Sequence, residues 1–334
     1  MSRPRIGISL GDPSGIGVEV TLKALALPKV KRALVPVLFG DASVTTSHEL
    51  RVVSQLAASD RKPGKPTRAG GLAQLAYVQA AITAAKLGEI DGICTAPVSK
   101  EAITRAGVPF AGHTELLADA WNAEVMMLMK GPVLSVALAT NHLPLIKVPG
   151  ALKTQKLVQQ LELLDRGLKA RLGRRPRIAV CGLNPHAGDG GVLGSEEDRI
   201  ITPAIVKAKA KGLDVTGPHA ADGLFAGGGN YRFDVALAMF HDQGLVATKT
   251  LDFARTVNVT LGLPVPRTSP DHGVVYDIAG KKKADPTPMA SALLEAAAMC
   301  RNGAVAARSW LRVTDGSKAD VWPRRSDPAS QSAR

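Results

Sequence analysis

Three histidines stand at comparable points of the chain. His142 in TNHLPL, His186 in GLNPHAGDGG and His241 in MFHDQG each follow a short apolar run, ending near residues 139, 182 and 240. The ends of parallel strands are where α/β proteins place their chemistry. Neutral imidazole is the commonest protein ligand for a transition metal. Three imidazoles from three such loops would hold a divalent ion and leave coordination positions open for a substrate. Each histidine taken singly is equally well a loop cap or a solvent-facing residue. His113 in GHTELLAD, His219 in GPHAADG and His272 in SPDHG also sit in loop-like surroundings. Lys249 lies eight residues after His241, and Arg267 stands between a proline and a threonine. Beside histidine loops, both suit an anionic substrate; read alone, each is an exposed charge.

Such loops need strands and helices to carry them. Continuous apolar runs at 5–10, 35–40, 92–95, 134–139, 177–182 and 235–240 read as buried parallel strands. Ala-rich stretches such as 74–87 read as helices between them, and 153–172 carries Leu157, Leu161, Leu164 and Leu168 at helical spacing. This βαβ alternation predicts an α/β fold with parallel sheets. The segment GDPSGIGVEV (11–20) follows the first strand and opens a helix. It is either a turn that brings backbone N–H groups to a ligand or a tight strand-to-helix turn. The polar stretch 59–71 reads as a loop, and the tail after Val313 has little to pack.

Composition narrows the function classes. The 334 residues are 45% apolar, enough for a substantial core, and only 4% aromatic. That scarcity argues against platforms that stack nucleic-acid bases. The net charge of +13 is scattered apart from Lys281-Lys282-Lys283 and Arg324-Arg325, so it reads as a solvated surface with no nucleic-acid motif. Cys94, Cys181 and Cys300 lack metal spacing and read as reduced core residues of a cytoplasmic protein. Neither a secretory leader nor a membrane-spanning run is visible.

Taken together, GHTELLAD, TNHLPL, GLNPHAGDGG with GSEE, AMFHDQGL, and VNVTLGLP with RTSPDHG resemble the PdxA family, the 4-hydroxythreonine-4-phosphate dehydrogenases of vitamin B6 synthesis. The likeness runs in order from about residue 5 to residue 300. GDPSGIGVEV and HGVVYDIAGKKKADP also resemble loops of isopropylmalate and isocitrate dehydrogenases. These resemblances imply a two-lobed α/β/α isopropylmalate dehydrogenase-like fold with parallel or mixed sheets and a cleft between the lobes. The implied lobes are 1–125 with 270–315 on the cofactor side and 126–269 on the metal and dimerisation side, with 316–334 a disordered tail. They imply oxidation of 4-phosphohydroxy-L-threonine by NAD, with decarboxylation to 3-amino-2-oxopropyl phosphate, at a site shared across a homodimer.

By the same resemblance, His142, His186 and His241 are the ligands of one divalent metal. Zinc suits three imidazoles, and cobalt, manganese and magnesium are also open. His113, Thr114, Lys249, Asn258 and Arg267 are the implied substrate contacts. Gly11, Asp12, Gly15, Gly188, His272, Asp277 and Ile278 are the implied cofactor contacts. A carboxylate at Asp277 facing a ribose favours NAD over NADP. Lys249 and Asp242 are the implied catalytic residues, and Asp271 is a further candidate proton acceptor. The chain departs from the family pattern at Val18, where proline is frequent, at Asp189, where glutamate is, and over Phe253-Ala254-Arg255-Thr256, where glycines are. The family also has paralogues acting on threonate or erythronate phosphates and on dihydrodiol dicarboxylates. GHTE, Lys249 and Arg267 argue for a phosphorylated substrate.

Overall fold

Every one of the six apolar runs forms a strand, and five further strands join them in one sheet. A computed structural model describes residues 2–303, so the expected disordered tail lies outside the described residues. The strands are β1 (Arg5–Ser9), β2 (Val35–Asp41), β3 (Glu49–Ser54), β4 (Gly92–Thr95), β5 (Met126–Lys130), β6 (Ser135–Leu138), β7 (Ile178–Cys181), β8 (Val215–His219), β9 (Val235–Ala238), β10 (Val257–Leu261) and β11 (Arg267–Pro270). The helices are α1 (Gly17–Ala26), α2 (Pro28–Ala33), α3 (Arg68–Lys86), α4 (Lys100–Arg105), α5 (His113–Trp121), α6 (Val148–Ala151), α7 (Thr154–Leu172), α8 (Thr202–Ala210), α9 (Ala221–Phe225), α10 (His241–Asp252) and α11 (Thr287–Gly303).

The sheet order is β3-β2-β1-β4-β11-β10-β5-β6-β9-β7-β8. β3 to β11 run parallel, as do β6 to β8. Between the two parallel blocks, the pairs β11–β10, β10–β5 and β5–β6 are antiparallel. The sheet is therefore mixed, with an antiparallel centre. One expectation is corrected locally: the polar stretch 59–71 ends at Thr67, whose hydroxyl caps α3 by accepting the Gly70 N–H at 3.1 Å.

The two faces of the sheet are covered differently. On one face a single apolar core runs across both blocks, from Ile6 and Ile8 through Leu128, Val257 and Val259 to Val180 and Leu237. Leu157, Leu161, Leu164 and Leu168 of α7 are all buried in it, as are Met289, Leu293 and Ala297 of α11. On the other face the apolar packing is split. One cluster, with Tyr77 and Val78, lies under α3, and another, with Met129 and Leu245, lies under α10. Strand alternation produces the gap between them. Val257, Val259 and Leu261 point into the continuous core, so Asn258 and Thr260 point the other way. Thr268 likewise turns to α11, donating to the Ala292 carbonyl at 2.9 Å, which sends Arg267 and Ser269 to the gap.

Candidate active site between the two apolar clusters

A cavity of about 350 Å³ occupies this gap, lined by Thr95, Lys100, His113, His142, Asn258 and Arg267 among others. Its polar groups are underused. Arg267 is only 2% exposed, yet it meets no carboxylate. It donates to Thr260 Oγ1 at 3.0 Å and Thr95 Oγ1 at 2.6 Å, and its Nε has no partner. Burial depresses the guanidinium to about 10. Asn258 Oδ1 and His113 Nε2 also lack partners. Burial, with the cations of Arg267 and Lys100 nearby, holds His113 well below the usual imidazole range, so it is neutral. Buried polar groups left unpaired are costly, and a cavity that gathers several of them is built to receive a polar ligand. A larger hollow of about 470 Å³ at the β8 edge, beside His219 and Tyr231, contains none of these orphaned atoms.

The histidines of the opening argument are brought together in part. The rings of His142, just past β6, and His241, the first residue of α10, lie 5.4 Å apart between centroids. Burial, with the charges of Lys100 and His241, lowers His142 below its ordinary value and favours the lone-pair-bearing form. Asp242 Oδ1 accepts from His241 Nδ1 at 2.7 Å, and its own side chain is 80% exposed. His186 does not join them: among the described residues no group of three His, Cys, Asp or Glu is close enough to hold a metal. Two imidazoles of the right chemistry therefore fit a divalent ion within one chain, and the third ligand is missing from that pair.

His186 stands on a strained loop. From His186 to Gly190 every φ is positive, from 45° to 84°, and three of those five residues are not glycine. Each non-glycine in that region costs about 1–3 kcal/mol, so something must impose it. Glu197, only 3% exposed, accepts the Leu183 and Asn184 N–H groups at 2.7 and 2.8 Å and the Asn184 side-chain amide at 2.8 Å. Burial acts to raise the Glu197 carboxyl, but these donors outweigh it and hold it below its ordinary value. Gln243 adds a tie between strand ends, accepting Met239 N–H and donating to the Gly182 carbonyl, both at 2.7 Å.

On the other side, the GDPSG turn is locked to the loop at 271–285. Gly11 has φ 71° and leaves no room for a Cβ, which would lie 2.2 Å from the Pro97 carbonyl. Asp12 is buried, and its carboxylate is taken up inside the chain. It accepts from Ser14 N at 2.8 Å, Gln74 Nε2 at 3.2 Å and the Tyr276 hydroxyl at 2.6 Å. Close to Gly15, the Ile16 N–H donates to the Val274 carbonyl at 3.1 Å. Asp277 is exposed on that loop, Ile278 packs against the core, and His272 reaches the cavity. Gly188 stays with the His186 loop, away from these groups, where a Cβ would meet Glu197 at 2.8 Å. Lys249 pairs with Asp271 at 2.8 Å and lies 5.6 Å from the Phe253 ring centre. Thr114, next to His113, also borders the cavity.

Lys100, Thr95, Gln74, Glu197, Gln243 and Tyr276 are site or supporting residues that sequence reasoning missed. Glu197, Gln243 and Tyr276 lie within the recognised motifs GSEE, HDQG and HGVVYDIAG; the others carry no local signal.

A model of the pyridoxal phosphate biosynthetic protein PdxA matches residues 11–296. The chain belongs to the PdxA family. A 4-hydroxythreonine-4-phosphate dehydrogenase of Desulforapulum autotrophicum is 40% identical over 324 residues, covering 89% of this chain and 95% of the relative. The crystal structure of a 4-hydroxythreonine-4-phosphate dehydrogenase from Burkholderia phymatum superposes with a TM-score of 0.75 at 37% identity, covering 90% and 99% of the two chains. A terephthalate 1,2-cis-dihydrodiol dehydrogenase from Burkholderia xenovorans matches with a TM-score of 0.65 at 30% identity, over 89% and 98%. A β-decarboxylating dehydrogenase from Thermococcus kodakarensis, at 13% identity and a TM-score of 0.50, shares the fold alone. The PdxA-family chain is an oxidoreductase with the expected isopropylmalate dehydrogenase-like architecture. Among the described residues, no helix is long and apolar enough to cross a membrane.

Proposed function

We propose that this PdxA-family enzyme oxidises 4-phosphohydroxy-L-threonine with NAD and a divalent metal, giving 3-amino-2-oxopropyl phosphate for vitamin B6 synthesis. The carrying observation is the buried, carboxylate-free Arg267 in a cavity that also receives His113 and His142. A buried cation with no ion-paired carboxylate is stabilised by an anionic ligand, and two of the relatives named above are 4-hydroxythreonine-4-phosphate dehydrogenases.

Arg267 and neutral His113 bind the anionic substrate, with Thr114 and Asn258 fixing its orientation. His142 and His241 would hold the metal, which when bound supplies Lewis-acid polarisation of the hydroxyl to be oxidised. The Lys249–Asp271 pair is the proton-handling group, with Asp271 among the residues that line the cavity. Asp242, exposed beside His241, orients that ring. The turn at Gly11, Asp12 and Gly15, with His272, Asp277 and Ile278, forms the NAD side, Gly188 lying apart on the His186 loop, and Asp277 sets the preference over NADP.

The site is completed by a second copy, in which the partner's His186 supplies the third metal ligand. Ile146 is 89% exposed beside His142, Val192 79% beside His186, and Val246 65% on α10. Exposed apolar side chains on the segments that carry the three histidines suit a homodimer contact. The lobes divide as 1–125 with 270–315 and 126–269. The three buried, unpaired cysteines suit the reducing cytoplasm. The resemblance to the dihydrodiol dehydrogenase favours a second reading, in which the substrate is a related acid: a dihydrodiol dicarboxylate, or a threonate or erythronate phosphate.

NADH formation by metal-replete enzyme tests the choice. Chelator-sensitive turnover of 4-phosphohydroxy-L-threonine, and not of D-threonate 4-phosphate, D-erythronate 4-phosphate or a dihydrodiol dicarboxylate, is expected. Turnover of one of the latter alone would establish the second reading.

A further inference from the structure

Lys100 is the first residue of α4, directly after the Ser99 cap. Helix stability does not account for a lysine there, because a cation in the first turn opposes the helix dipole. The helix has its own stabilising pair in Arg105 and Glu101, at 2.7 Å. Among the described residues Lys100 forms no ion pair. Its position is nevertheless fixed: fully buried Gln74 accepts the Ser99 N–H at 2.6 Å and donates to Asp12.

The side chain runs to the cavity and lies against the start of α5. A Cβ on Gly112 would come 3.3 Å from Lys100 Nζ. The charge balance then decides what it does. A phosphate monoester carries close to two negative charges at neutral pH. Arg267 supplies one positive charge. His113 is neutral and supplies a hydrogen bond but no charge. Lys249 is already neutralised by Asp271 at 2.8 Å, and Glu115, at the same cavity, adds negative charge. Lys100 shares the Gly112 corner of the cavity wall with the Glu115 carboxylate, without forming an ion pair to it among the described residues, and is the remaining cation there.

We propose that Lys100 is a substrate-anchoring residue that, with Arg267, clamps the phosphate dianion of the substrate. This rests on the reading above that the substrate is phosphorylated. Charge-assisted hydrogen bonds of this type are the strong ones, and losing one corresponds to about a ten- to hundredfold loss of affinity.

The test is calorimetric titration of inorganic phosphate into the full-length wild type, Lys100→Met and Lys100→Arg, without substrate. Lys100→Met should bind phosphate about ten- to a hundredfold more weakly, with Lys100→Arg recovering most of the loss. In turnover, Lys100→Met should raise KM for the phosphorylated acid by a similar factor while leaving KM for NAD unchanged. Phosphate affinity in Lys100→Met within twofold of wild type overturns the proposal. So does a Lys100→Arg variant as weak as Lys100→Met, or a parallel loss of NAD binding, which would mark a folding role. If Lys100→Met is normal while the phosphorylated acid is still oxidised, only the role of Lys100 falls. If the wild type neither binds phosphate nor oxidises a phosphorylated acid, the broader reading falls with it.

Discussion

Arg267 joins binding and instability in one side chain. Its guanidinium is buried and hydrogen-bonded to two threonine hydroxyls, and it meets no carboxylate. The depression to about 10 means that the fold disfavours its charged form. At neutral pH the group is protonated both folded and unfolded, so the whole of this cost is present; it fades only as pH rises through about 10. Replacing a buried, uncompensated charge by an apolar chain of similar length stabilises proteins in comparable cases. Arg267→Met should therefore be more stable than wild type by about 1–2 kcal/mol in urea denaturation without ligand, the lost threonine bonds offsetting part of the gain. Its kcat/KM for the phosphorylated acid should fall at least about a hundredfold, as for loss of a desolvated charge partner. A variant both less stable and equally active would place Arg267 in the structure rather than the site. At this scale the sequence was informative where motifs are long: His113, Asn258 and Arg267 reach one cavity as the family resemblance implies. Lys100 and Gln74 escaped notice because their roles depend on α3 and α4 meeting the cavity wall, which no local pattern records.

The six strands visible as apolar runs are buried along nearly their whole length, as is β5, which the sequence reading passed over. β10 and β11 were missed because their alternate residues serve different masters: Val257 and Val259 face the core, while Asn258, Arg267 and Ser269 face the cavity. Read as sequence, the polar half hides the strand, and that same half makes the site. The loop 185–191 went unrecognised as strained because its glycines suggest ease, yet His186, Ala187 and Asp189 hold positive φ as well. Glu197 anchors the entry to that loop through the backbone N–H groups of Leu183 and Asn184. Glu197→Gln should destabilise the protein by about 1–3 kcal/mol at pH 7. The sign of the pH dependence follows from the depressed folded value. The contribution of Glu197 is complete above its ordinary 4.5 and is lost as pH falls through the lower folded value. The gap between wild type and variant, measured by denaturation across pH, should thus close below about pH 4.5. A gap that stayed constant with pH would mean that packing, and not the ionised carboxylate, holds the loop.

At the scale of the whole molecule, one chain brings only two of the three proposed metal ligands together. Two opposed parallel blocks meet at an antiparallel centre, and His142 and His241 come together beside it, while the His186 loop stays apart. If the proposed site is shared, metal retention is a property of the dimer. A stable dimer contact buries roughly 1,200–2,000 Å² in total, and its apolar centre would include Ile146 and Val192, among the most exposed apolar side chains described. Ile146→Asp with Val192→Asp introduces charge on both flanking loops without touching a proposed ligand. In sedimentation, the wild type should run as a dimer and the double variant as a monomer. Metal analysis after gel filtration should then show about one ion per wild-type chain and little in the variant, with the unfolding midpoint of the metal-free forms nearly equal. The stability control matters, because surface substitutions of exposed residues change folding by no more than about 0.5 kcal/mol, whereas loss of a ligand removes the ion outright. A monomeric variant that kept its metal would show that each chain binds the ion alone, and His186 would then have to be sought elsewhere than in the coordination sphere.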